Sequence, residues 1–153
     1  MKFNSQICTS RSQSERLLAL GLKKETADMC INPSRELVYP FSYSEALALY
    51  DRCGFGRIME VDSLLPAWSL DRLLKMTPDK ISYPTQWDSA PLRINKDSMY
   101  YLHRFFDRNG YEDTSTVGDN EAIGSHNIYD YAVSVIGFLI REGHFCKEYL
   151  ERI

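Results

Sequence analysis

Apolar residues recur at helical spacing in five stretches of the chain, most of them bounded by a capping residue or a glycine. The first of these predicted helices has two overlapping capping boxes at its start. In one, Ser10 pairs with Gln13, and in the other, Ser12 pairs with Glu15. Gly21 then favours an ending in a Schellman motif. The five helices are predicted at residues 12–20, 43–52, 70–76, 128–142 and 145–153.

The segment around Trp68 carries the strongest local signals for the start of a helix. Ser69 is a good N-cap, and Asp71 places negative charge in the first turn, where the helix dipole favours it. Trp68 and Leu73 have the spacing of a hydrophobic staple. We therefore expect this segment to clamp the start of a two-turn helix.

Shorter runs between these helices predict strands. Pro40 confines the extended segment at residues 36–41 to a sheet edge or a strand end. Asn109-Gly110 predicts a hairpin with a type I′ turn, because that turn needs positive φ at both central residues. The return strand is residues 111–117. Further strands are expected at residues 57–61, 92–95 and 99–106, with a helical turn at residues 23–29 and a loop at residues 82–91.

The stretch from Ile128 to Glu142 predicts a helix with an unusually broad apolar surface. One side of this helix is apolar along its length, and Val133, Ile136 and Ile140 extend the apolar surface beyond that side. A surface helix needs one apolar stripe only, so this helix is wrapped by the domain or meets another subunit. The whole pattern predicts a single α+β domain over residues 1–153. In it a small antiparallel sheet, with its hairpin at Asn109-Gly110, packs against several helices around this central one.

Composition narrows the classes of protein that fit. At 153 residues, with 44% apolar and 25% charged residues, the chain is of ordinary globular character. The net charge of −3 opposes nucleic-acid binding, which draws its affinity from basic surfaces. The sequence shows neither an apolar run long enough for a membrane helix nor the pattern of a signal peptide. We expect a cytoplasmic protein with neither a nucleic-acid nor a membrane partner.

The residues that could carry chemistry form no known constellation. The four cysteines, Cys8, Cys30, Cys53 and Cys146, lack a Cys-x-x-Cys pair, so free thiols are predicted rather than a zinc site. The glycines form neither a dinucleotide-binding nor a Walker pattern, and no cofactor is expected.

Two histidines are the candidates for catalysis. His103 is predicted in a strand among aromatic residues, where packing is its commoner role. His126 follows Ser125 in a loop, but a Ser/His/Asp triad is recognised by geometry and no nucleophile-elbow pattern is present. We therefore predict no catalytic, cofactor-binding or metal-binding residues.

Aromatic and basic side chains are interleaved in the predicted strands, and single-strand nucleic-acid binders stack bases on such rings. The alternation of side chains along a strand sends half of these rings into the core, which weakens that reading. The residues concerned are Tyr100, Tyr101, Phe105 and Phe106, with Arg93, Arg104 and Arg108.

Three stretches, at residues 9–29, 66–76 and 138–143, resemble a group of small bacterial proteins of unknown activity that are associated with prophages and other mobile elements. The matching positions are caps, staples and core residues, so the resemblance implies a compact domain and no active site. The leading hypothesis is a non-enzymatic accessory or interaction domain that binds another protein or a second copy of itself. The alternative is a small hydrolase or transferase using His103 or His126.

Overall fold

A computed structural model describes residues 6–53, 64–82 and 89–151, which divide into two compact units, Met1–Leu73 with Lys147–Ile153, and Leu74–Cys146. The helices within these residues are α1 (Arg11–Ala19), α2 (Tyr43–Cys53), α3 (Leu70–Met76) and α4 (Ile128–Arg141), with 3₁₀ turns at Lys24–Thr26 and Lys147–Tyr149. The strands are β1 (Met29–Asn32), β2 (Leu37–Tyr39), β3 (Leu65–Ala67), β4 (Lys80–Ser82), β5 (Ser89–Ile94), β6 (Met99–Phe106) and β7 (Glu112–Val117).

The first unit contains an antiparallel sheet in the order β2-β1-β3. Within the described strands β2 lies at an edge, as the position of Pro40 predicts. Ile31 lies opposite Val38 on one side and Leu65 on the other. Ile31 packs with Cys8 and Ala67 on one face of the sheet. Cys30 packs with Ala46 of α2, so the two faces of β1 belong to separate apolar clusters.

Helix α1 begins and ends with the motifs that the sequence predicts. The box is the first of the two alternatives: Ser10 Oγ accepts from Gln13 N, and Gln13 Oε1 accepts from Ser10 N. At the other end, Leu22 N donates to Leu17 O and Gly21 N donates to Leu18 O. Gly21 has φ +103°, which completes the Schellman motif.

Two strands of the first sheet lie where other structure was predicted. The prediction of a helical turn at residues 23–29 is wrong at its end, because only Lys24–Thr26 forms a 3₁₀ turn and Met29 begins β1. The residues before Trp68 form β3, which the helix-start signals there did not indicate. The strand predicted at residues 57–61 lies outside the described residues.

The second unit contains an antiparallel sheet in the order β4-β5-β6-β7. The prediction of a loop over residues 82–91 is wrong at both ends, because Ser82 pairs with Ser89 and Lys80 with Pro91. Residues 83–88 lie outside the described part. The hairpin between β6 and β7 is confirmed.

The turn of that hairpin is not of type I′. Gly110 has φ +81°, but Asn109 is not in the left-handed region. Gly110 N donates to Asp107 O, and Asp107 Oδ1 accepts from the backbone N–H groups of Asn109 and Tyr111. The loop is therefore one residue longer than a type I′ hairpin loop. Asp107–Gly110 form a four-residue turn whose last residue is the left-handed glycine, and the Asp107 side chain stabilises it.

The predicted apolar helix is α4, which Asn127 caps and which packs on β6. Val133 and Ile136 are both fully buried. Ser134 Oγ donates to Gly118 O at 2.7 Å, and a Cβ on Gly118 would lie 3.3 Å from the ring of Phe138. The strand end after β7 thus lies directly against the helix.

The chain end is less helical than predicted. Instead of a helix over residues 145–153, the described residues form the 3₁₀ turn Lys147–Tyr149, and Leu150 then bridges to Leu22. Arg72 lies over the ring of Tyr149, 5.7 Å from its centroid, in the same unit.

The α+β class is confirmed, since each unit combines helices with a small antiparallel sheet. The prediction of one sheet is corrected to two. Among the described helices, none has both the length and the apolar character that a membrane crossing requires.

Candidate functional site

The first unit has an apolar groove between residues 6–11 and the β1–β2 hairpin, which we call the N-terminal groove. Its volume is about 400 Å³. Cys8 and Ile31 form its buried floor, and three large apolar side chains lie exposed at its mouth. Their exposed fractions are 56% for Ile7, 44% for Leu37 and 42% for Val38.

Hydrogen bonds of the backbone and of side chains hold the wall of the groove that residues 6–11 form. Thr9 N donates to Trp68 O at 2.9 Å, and Trp68 N donates back to Thr9 Oγ1 at 3.0 Å. Gln6 Nε2 donates to Gln13 Oε1 at 2.7 Å, which ties the start of this wall to α1. The wall is therefore held by the fold before any ligand binds.

The opposite wall is the edge strand β2 and the turn that precedes it. Glu36 has φ +54° in this turn, a left-handed conformation that few residues other than glycine and asparagine adopt. Since β2 pairs with β1 on one side only, its other side faces outward within the described sheet. An outward strand edge offers backbone N–H and C=O groups to a further strand.

The cysteine in the floor of the groove has a raised pKa. Burial, assisted by the negative charge of Asp28, raises the pKa of Cys8 to about 11. Burial also raises the pKa of Cys30 to about 11, with smaller contributions from Cys8 and Glu45. Because the thiolate is the nucleophile, neither thiol is activated for catalysis.

Several polar side chains that line the groove are already used by the fold. Asn32 Oδ1 accepts from Ser34 Oγ at 2.7 Å, and Thr9 Oγ1 shares a 2.7 Å hydrogen bond with Ser14 Oγ. Arg11 forms an exposed ion pair with Glu15 at 3.1 Å. The groove therefore offers apolar contacts and a strand edge rather than acid–base chemistry.

The structure places the two predicted histidines on different elements. His103 lies on β6, half-buried, with its ring 5.6 Å from that of Phe105. His126 is exposed in the loop before α4. Ser125 Oγ donates to Asp130 Oδ2 at 2.7 Å, so the hydroxyl beside His126 helps to hold the start of α4.

The aromatic and basic residues of β6 divide between its faces, as alternation predicts. Tyr101 is fully buried, and its hydroxyl donates to Pro78 O at 2.6 Å. Phe106 is exposed, and Arg108 lies in the hairpin turn. Burial, assisted by the charge of Asp79, raises the pKa of Tyr101 above its ordinary value.

Metal and disulfide chemistry find no support in the described residues. Cys8, Cys30 and Cys146 are free thiols, while the side chain of Cys53 lies outside the described part. Within residues 6–53, 64–82 and 89–151, no three His, Cys, Asp or Glu side chains are grouped so that they could hold a metal ion.

The sequence predicted the edge strand that forms one wall of the N-terminal groove, but it did not predict the groove or its other wall. Pro40 indicated an edge strand, and Leu37 and Val38 lie on it. Ile7 belongs to no periodic pattern, and its segment reaches the sheet through tertiary contacts, the hydrogen bonds of Thr9 with Trp68 and the packing of Cys8 on Ile31.

Comparison with known proteins gives no match: this holds for family models, for curated sequences and for solved structures alike. The resemblance to prophage-associated bacterial proteins therefore stays a prediction.

Proposed function

We propose that the chain is a non-enzymatic interaction domain of the bacterial cytoplasm, whose N-terminal groove binds an extended segment of another protein. The observation that carries this proposal is the set of three exposed apolar side chains beside an outward strand edge. Exposed apolar groups clustered around a groove are typical of a binding surface.

The energetics favour an extended partner over a compact one. Covering Ile7, Leu37 and Val38, each about half exposed, contributes about 1 kcal/mol per side chain. Association costs at least roughly 4 kcal/mol in lost freedom of motion, so these contacts alone do not suffice. A segment that adds to β2 as a strand also forms backbone hydrogen bonds, and its alternate side chains enter the groove.

A selection from random peptides displayed on phage tests this proposal. We expect the wild-type chain to enrich peptides with apolar residues at alternate positions. Val38→Asp should weaken their binding at least about tenfold, because the carboxylate would lose water without gaining a partner. Leu47→Asp is the matched control, since Leu47 is an exposed apolar residue on α2 outside the groove.

Two results would contradict the proposal. One is a failure to enrich any peptide, or enrichment of peptides that bind the Val38→Asp variant as tightly as wild type. The other is a wild-type dimer that Val38→Asp converts to a monomer on size exclusion with light scattering. In that case the occupant of the groove is a second copy of the chain.

A further inference from the structure

The second unit carries a separate cleft between two arginines on the outward face of its sheet, which we call the arginine cleft. Arg93 of β5 and Arg104 of β6 line it together with Ser89, Pro91 and Leu102. Its volume is about 270 Å³. In the register of the two strands Arg93 lies opposite Tyr100, on the face opposite to that of the buried Tyr101.

The cleft combines two exposed charged side chains with a floor of apolar side chains. Pro91 and Leu102 are half-buried, whereas both arginines are exposed. Arg104 has an ion pair with Glu112 at 3.9 Å, between two side chains that are more than half exposed. Such a pair is weak, so an anion in the cleft can replace it. The register of the two strands places Pro91 and Leu102 between the two arginines, so Arg93 and Arg104 line the cleft from its two ends. Two arginines thus face one cleft of a chain whose net charge is −3.

We infer that the arginine cleft binds a small organic phosphate monoester. Arginine presents a planar fork of donors that matches phosphate oxygens. A phosphate monoester carries nearly two negative charges at neutral pH, which neutralise both arginines, whereas a carboxylate or a sulfate ester carries one. The apolar floor suits an apolar body on the ester, and the volume suits a ligand below drug size.

This site is independent of the N-terminal groove, because it lies on other strands and takes a different ligand. The net charge of −3 led us to expect no binding of nucleic acid, but net charge is a sum over the whole chain. Side-chain alternation along β5 and β6 places Arg93 and Arg104 together on the outward face of the sheet, so this face can still attract a phosphate group.

Phenyl phosphate is the probe, titrated into isotope-labelled protein and followed by the backbone amide signals of β5 and β6. We expect saturable shifts centred on Arg93 and Leu102. Arg93→Gln and Arg104→Gln should each weaken binding about tenfold or more, as loss of a charge-assisted hydrogen bond does. Arg108→Gln is the matched control, since Arg108 is an exposed arginine of the same unit outside the cleft.

Two further probes separate the possible ligands. Phenyl sulfate has a similar shape but a single charge, so it should bind at least about threefold more weakly than phenyl phosphate. Inorganic phosphate lacks the apolar body and should also bind more weakly. The inference is overturned if phenyl phosphate leaves these amides unshifted, if both sulfate and phosphate esters bind equally, or if the glutamine variants bind as wild type. Tighter, Arg93-dependent binding of oligothymidylate would also overturn it, because the ligand would then be a nucleic acid.

Discussion

Replacing Trp68 tests how the first unit holds its elements together. The side chain is fully buried, and its indole Nε1–H donates to Thr26 Oγ1 at 2.9 Å. Trp68→Ala removes the ring and leaves a cavity, which should cost about 3–5 kcal/mol of unfolding free energy. Trp68→Phe keeps most of the apolar volume and removes the hydrogen bond, so it should cost less.

A double-mutant cycle isolates that hydrogen bond. Thr26 Oγ1 also donates to Lys23 O at 2.6 Å, so Thr26→Val alone removes two interactions. The coupling between Trp68→Phe and Thr26→Val should be about 0.5–1.5 kcal/mol, the usual net contribution of one hydrogen bond. Urea unfolding followed by far-ultraviolet circular dichroism measures it without relying on tryptophan emission.

Leu47→Ala serves as the control in the same unit, since an exposed side chain on α2 should change stability by about 0.5 kcal/mol or less. If Trp68→Ala unfolds at the urea concentration of wild type, the side chain is not in the core. If the cycle shows no coupling, the indole and the Thr26 hydroxyl are not bonded in solution.

Four further predictions concern single side chains or the buried thiols. Ser69→Ala should cost about 1 kcal/mol in urea unfolding, because Ser69 Oγ accepts from the backbone N–H at the start of α3. In native protein at pH 8, mass spectrometry after alkylation should find the exposed Cys146 modified and Cys8 and Cys30 protected. Stability should fall as pH rises from 9 towards 11, because unfolded thiols ionise near 9 while the folded pKa of both buried thiols is about 11. Ile136→Asp should unfold the second unit by circular dichroism, since it buries an unpaired carboxylate.

The predictions for the cysteines and for Ile136 have further controls and outcomes that would contradict them. Alkylation in denaturant should reach all four cysteines without reduction, and two modified sites would reveal a disulfide. Ile123→Asp, at an exposed position of the same unit, should leave the melting temperature nearly unchanged. A folded Ile136→Asp variant of unchanged stability would mean that α4 does not bury this face.

The capping motifs could be predicted from sequence because their partners are close along the chain. Ser10 with Gln13 and Ser69 with Arg72 are three residues apart, and the sequence contains everything that these bonds need. The Asn109-Gly110 turn shows the limit of such local reasoning. The dipeptide indicated the hairpin, but the side chain of Asp107 selects a longer loop.

The strand pairing of the first sheet and the two candidate surfaces could not be predicted, since they depend on contacts between residues that are distant along the chain. Ile31 pairs with Leu65 through strands of three and four residues, too short for a periodic signal. The N-terminal groove exists only because Thr9 is bonded beside β3. The arginine cleft depends on how β5 is aligned with β6, and the predicted hairpin between β6 and β7 does not specify that alignment.

The most direct test of the proposed docking site is an amide map of a bound peptide. A peptide enriched in the phage selection is titrated into isotope-labelled protein, and the chemical shifts of the backbone amide signals are followed. We predict shifts concentrated at Leu37–Tyr39 and at Ile7, with slower hydrogen exchange in β2, because a strand added there bonds to its backbone. Shifts concentrated away from the N-terminal groove, with unchanged exchange in β2, would contradict the account.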